Sequence, residues 1–158
     1  MVDVAIANDP SLCSQGFEEG VVMSTITYEQ AQNVLQAALR KANETGVPSS
    51  VAIVDEGREL MAFARQTGAL LASIEISIAK AYTACSMQMS TADVGAMTQP
   101  GQPLAGLETS HRRPLVAFAG GQPLWIGDQV VGAVGVAGGT VDQDDEVATA
   151  AAASLPQV

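Results

Sequence analysis

The sequence predicts an α/β (α+β) domain: a five-stranded, mainly antiparallel sheet with helices packed on it. Three observations carry that expectation. Segments with helical apolar spacing alternate with short apolar runs bounded by Gly, Pro, Asn and Asp. Successive runs are joined by turns or short loops, apart from one long crossing at 66–114. The run VVGAVGVA at 130–137 is apolar at every position, as expected of a central strand covered on both faces.

Taken in order, residues 1–22 form an N-terminal arm with turn chemistry at Asn8-Asp9-Pro10-Ser11, and a single domain spans 23–158. Met23 could begin the core. The first helix is expected at 28–45. Thr27 can cap it, and Gln30 stands at capping-box spacing. Tyr28, Ala31, Val34, Leu35, Ala38, Leu39 and Ala42 share one face, and Gly46 and Pro48 end the helix.

A hairpin follows, with strands at 51–54 and 59–64 around Glu56-Gly57. The second helix is expected at 72–87, with Ile74, Ile78, Ala81, Tyr82 and Cys85 on its buried stripe. Ile76 falls off that stripe, which marks a helix apolar over a wide arc. A short helix fits at 92–97, inside an irregular connection of the length that often carries function. Three more strands are expected at 115–119, 124–126 and 130–137, with Gly127-Asp128 as a tight turn. One face of the last strand holds only Val, Ala and Gly, so a helix, a second subunit or a flat ligand can approach closely. The final helix is expected at 142–154, and its acids Asp142, Asp144, Asp145 and Glu146 suit a helix start better than a metal cluster.

Composition narrows the function. Seventeen acidic residues against seven basic ones give a net charge of −10, which disfavours nucleic acid and anionic membranes as partners. Only 15% of residues are charged while 47% are hydrophobic, a balance that favours a homo-oligomer. Two cysteines, Cys13 and Cys85, make neither a disulfide framework nor a zinc spacing, and Cys85 reads as a small buried hydrophobe. No basic, apolar leader begins the sequence, so a cytoplasmic location is expected.

Several stretches together carry a resemblance: VAIVDEGRELMAFARQTGA (51–69), SIEISIAKAYTACSM (73–87), QPGQPLAGLETS (99–110), AFAGGQPL, and VVGAVGVAGGTVDQDDEVA. In order and spacing, from Thr25 to Leu155, they resemble the GlcG/HbpS family, which also forms the C-terminal part of some corrinoid adenosyltransferases. The resemblance implies a profilin-like fold. It also implies a small-molecule ligand, with haem or a related tetrapyrrole first: some members bind haem, and one secreted branch is implicated in haem sensing or degradation. Others sit in catabolic operons, and a few are linked to small-molecule transformations such as dehalogenation. An enzyme of small organic acid catabolism, of isomerase, hydratase or dehalogenase type, is therefore the alternative expectation. After Leu107-Glu108-Thr109-Ser110 the family usually carries residues such as Asn and Gly, whereas this chain has His111-Arg112-Arg113.

That departure directs attention to one loop. His111 is the only histidine, so any imidazole role falls to it, as ligand to haem iron or as a catalytic base; otherwise it is an exposed loop residue. Arg112 and Arg113 could clamp a carboxylate or a haem propionate, or pair with surface acids. Glu108 is a second catalytic candidate, and Thr109 and Ser110 either contact ligand or cap the turn. The backbone N–H groups of Gly120 and Gly121 could meet an anion, although tight turning is the commoner use of such a pair. Lys80 and Tyr82 belong on different faces of their helix, Lys80 as a surface charge and Tyr82 in the core. Trp125 suits an interface or pocket wall, and Met87 and Met89 suit core filling or a haem pocket.

Overall fold

The computed structural model of the protein describes residues 25–156. The expected N-terminal arm, its turn, Cys13 and Met23 lie outside the described residues. Helix α1 (Tyr28–Thr45) begins on a full capping box: the Thr27 side chain accepts from Gln30 N, and Thr27 N donates to Gln30 Oε1. It ends where Gly46 turns left-handed at φ 73°. Ala31, Val34, Leu35, Ala38 and Ala42 are buried as the spacing requires, but Tyr28, in the first turn, is exposed.

Strands β1 (Ser50–Asp55) and β2 (Leu60–Arg65) form the expected hairpin. Helix α2 (Ser73–Met87) and the short α3 (Thr91–Thr98) follow. After a single 3-10 turn at Leu107–Thr109 come β3 (Gly121–Ile126), β4 (Gln129–Ala137) and α4 (Val141–Ala153). Among the described residues the sheet has four strands in the order β2-β1-β4-β3, every pair antiparallel.

The expected fifth strand is the first correction. Leu115 and Val116 are buried, but the 115–119 segment has no ladder partner. Val116 N instead donates to the Thr83 hydroxyl on α2, 2.9 Å away, and the edge position goes to a longer β3. An apolar run marks burial; only a neighbouring backbone makes it a strand.

Strand β1 shows how the layers divide. Val51 and Ile53 join one core with α1 and α4, while Ala52 and Val54 join another beneath α2. Strand β4 repeats this, with Val134 and Val136 on the first side and Ala133 on the second. Its simple alternation is interrupted, because Leu124 pairs with Gly132 but Trp125 pairs with Val130. Val131 is the extra residue of a β-bulge and turns into the first core beside Ile26. The small-residue face is covered by a helix: a Cβ on Gly135 would collide with Ser77 O and Ala81 N of α2.

Helix α2 is rotated from its expected stripe. Ser73, Ser77, Lys80, Ala81, Ala84 and Cys85 point inward, whereas Ile74, Ile78 and Tyr82 are only half-buried. Lys80, expected on the surface, is wholly buried. No helix of the described residues is long and apolar enough to cross a membrane.

Candidate functional site: an apolar groove and a polar chamber

The site starts from the β1–β2 turn. Asp55 organises it: its carboxylate accepts Glu59 N at 2.9 Å and its carbonyl accepts Arg58 N at 2.9 Å. Closing the turn places Arg58 at φ 69°, a left-handed conformation that costs an L residue about 1–2 kcal/mol. From there the guanidinium lies over the Tyr82 ring, with Cζ 5.2 Å from its centroid and Nη1 3.4 Å from its hydroxyl. Arg113 also stacks on that ring, at 5.3 Å, and Arg113 Nη2 pairs with Glu59 Oε1 at 3.3 Å. Tyr82 thus carries two guanidiniums supplied by two separate loops.

This cluster borders two cavities. One is a groove of about 550 Å³ between the hairpin and α2, walled by Val54, Leu60, Ile76, Ile78, Pro114 and Val116. Arg58, Glu59, Glu75, Tyr82 and Arg113 give it polar edges. Ile76 faces this groove, which accounts for an apolar residue off the buried stripe. The second is an open, shallow chamber of about 460 Å³ that shares Arg58, Glu59, Tyr82 and Arg113 and adds Gly57, Ser110, His111 and Arg112, all of them exposed except Tyr82. Both volumes fall in the range of small-molecule sites.

The expected loop residues separate into three groups. Ser110, His111, Arg112 and Arg113 line the chamber, and Arg113 reaches the groove as well. The Ser110 hydroxyl donates to Leu107 O at 2.7 Å and lies 2.9 Å from His111 Nδ1, which orients the ring. Glu108 and Thr109 are exposed on the 3-10 turn and line neither cavity; the Thr109 hydroxyl donates to Gly106 O. Gly120 and Gly121 also line neither cavity. Gly120 N donates to Asp145 Oδ1 and Gly121 N to the Thr91 hydroxyl, so both N–H groups already have partners.

Three of the four acids of α4 serve the fold. Asp144 is buried against Lys80, Asp145 also accepts Gln122 Nε2, and Glu146 pairs with Lys41 of α1 at 2.6 Å. Among the described residues no group of His, Cys, Asp and Glu is arranged to hold a metal ion. Trp125, Met87 and Met89 line neither cavity. Cys85 is buried, its thiol donating to Asp55 O, and burial pushes its pKa up to about 11.

Arg58 and Tyr82 are the site residues that sequence reasoning passes over. Glu56-Gly57-Arg58 at a hairpin turn was the available signal for Arg58. For Tyr82, helical spacing implied burial, and only the rotation of α2 turns the ring to the groove.

Among the described residues, a four-stranded antiparallel sheet between helical layers, with an apolar groove edged by arginines, defines a small α/β domain. Residues 26–153 match the family described as haem degrading protein HbpS-like, and the chain belongs to that family. It is 40% identical over 122 residues to an uncharacterized 15.0 kDa protein from the dhaT-dhaS intergenic region of Citrobacter freundii, covering 77% of this chain and 86% of that protein. It is 34% identical over 131 residues to the corrinoid adenosyltransferase PduO of Citrobacter freundii, covering 83% of this chain but 39% of that protein. The crystal structure of a PduOC:heme complex superposes with a TM-score of 0.79 at 34% identity, covering 82% of this chain and 94% of that one.

Proposed function

We propose that the chain binds a mostly apolar, anionic small molecule in the groove, with haem or a related tetrapyrrole as the first ligand to test. The observation that carries this reading is the pairing of an apolar wall with two guanidiniums, Arg58 and Arg113, stacked on Tyr82 at its edge. A tetrapyrrole has a flat apolar body and carboxylate arms, which such a groove matches in kind. The family's description and the heme complex of PduOC support the same choice.

In this reading Ile76, Ile78 and Val116 pack on the macrocycle, and Arg58 and Arg113 meet its carboxylates. His111, oriented through Nδ1 by Ser110, lines the chamber and not the groove, so this reading gives it no bond to a haem seated in the groove. Haem, when bound, would supply a redox-active iron and a Soret chromophore. We also infer that the protein works as a homo-oligomer.

Titrating the purified protein with haemin tests the assignment. A saturable Soret shift is expected, weakened in Arg113→Ala. A shift no greater than that of a non-binding control protein would move the assignment to turnover of a small organic acid.

A further inference from the structure

The polar chamber on the far side of the Tyr82 stack has a character of its own. Arg58, Arg112 and Arg113, three of the seven basic residues in a chain of net charge −10, line it together with the only histidine. Its one acid, Glu59, is already paired with Arg113. Arg58 is one of two non-glycine residues at positive φ among the described residues. A glycine would occupy φ 69° without strain, so the turn itself does not call for an arginine there. Strain of this kind, kept where a smaller residue would relieve it, accompanies functional positions.

We propose that this chamber is a separate subsite for a small carboxylate anion, held by the Arg58 and Arg112 guanidiniums beside the Ser110 hydroxyl. The assignment does not rest on haem binding. The guanidinium fork matches a planar carboxylate in two parallel hydrogen bonds. Arg113, which pairs with Glu59 and stacks on the Tyr82 ring, lines both cavities and stands between them, whereas Arg112 lines this one alone. The acidic field of the whole chain and the nearby Glu59 carboxylate oppose a polyanion such as a phosphate ester, while a small carboxylate meets a locally basic wall.

Calorimetric titration of the haem-free, full-length protein with malonate, and in parallel with sulfate and inorganic phosphate, tests this. Malonate is expected to bind at millimolar concentration or below, and more tightly than either inorganic anion. Arg112→Ala should weaken malonate roughly tenfold or more, as loss of a charge-assisted hydrogen bond implies. Arg58→Gly should weaken it comparably while leaving the thermal midpoint unchanged or raised, because glycine is at ease in that turn. Arg112 lines only the chamber, so Arg112→Ala should leave haemin titration unaltered. Ile76→Trp, which fills the groove, should remove haemin binding and spare malonate. A failed haemin titration therefore leaves the malonate result standing on its own. Absence of malonate binding, equal binding of sulfate, or full malonate affinity in both arginine variants would each overturn the proposal.

Discussion

Lys80 Nζ stands 2.7 Å from Asp144 Oδ2, a pair 64 residues apart in sequence and removed from solvent. The same ammonium donates to Val136 O at 2.9 Å and lies 5.0 Å from the Phe118 ring centroid. Helix α2 lies on one face of the sheet and α4 on the other, so this pair clasps the two layers together. Gly120 makes room for it: a Cβ there would sit 2.5 Å from Nζ and 2.8 Å from Asp144 Cβ.

Removing one partner strands the other charge in the interior. Lys80→Met is expected to destabilise the fold by about 3–5 kcal/mol in urea unfolding. The double variant Lys80→Met, Asp144→Leu should recover most of that. It should stay below the parent by about 0.5–1.5 kcal/mol, because Gly139 N loses the Asp144 Oδ1 acceptor. Equal losses in the single and double variants would show that the clasp is not a coupled pair.

Alkaline stability should separate two buried groups. Burial raises the Cys85 thiol from 9.0 to about 11, so its contribution is fully present below the unfolded value and is lost as pH climbs through the folded one. Lys80 acts in the opposite sense. Desolvation lowers its pKa, against the Asp144 hydrogen bond, and the cost of burying the ammonium is relieved as pH rises toward 10.5. In a Cys13→Ser background, Cys85→Ala should flatten the part of the stability loss that falls between about pH 9 and 11. Thiolate absorbance should show a native midpoint near 11. A native midpoint at 9.0 would mean that the thiol is not desolvated.

Close approach of α2 to β4 makes a further point testable. Gly135→Ala inserts a methyl against Ser77 O and Ala81 N, both backbone atoms that cannot rotate away. A loss of about 1–3 kcal/mol is expected, as for an overpacked core. Unchanged stability would require α2 to shift outward, which a haemin or malonate titration would register at Tyr82.

Self-association is expected from the apolar surface left outside both cavities. Leu70 and Leu71, just before α2, are 68% and 75% exposed. Light scattering after size exclusion should give a multiple of the 16.2 kDa chain, and Leu70→Glu with Leu71→Glu should lower it. A monomeric parent protein would end this expectation.

What was legible in the sequence follows from the range of the forces involved. Helix α1 could be placed to the residue because its capping box, periodicity and Gly46 stop are all local. The matching box at Thr140 and Gln143 is equally local. Burial of Leu115 and Val116 was correctly implied, but Phe118 is exposed and pairing depends on a distant backbone, and there the expectation of a fifth strand failed. Lys80 reads as a surface residue until Asp144 is brought to it from the far end of the chain. The loop at Ser110–Arg113 stood out because it gathers rare residue types. Its facing partners, Arg58 and Tyr82, are ordinary residues on other elements, so only the fold reveals the stack they share.

Helix α2 presents Lys80 to the interior and, two residues on, Tyr82 to the groove. None of the residues lining the groove or the chamber takes part in the Lys80–Asp144 contact. In the proposed reading the ligand's charged contacts come from two short connections, the hairpin turn and the 110–113 loop, which can be rewritten while the foundation stays put.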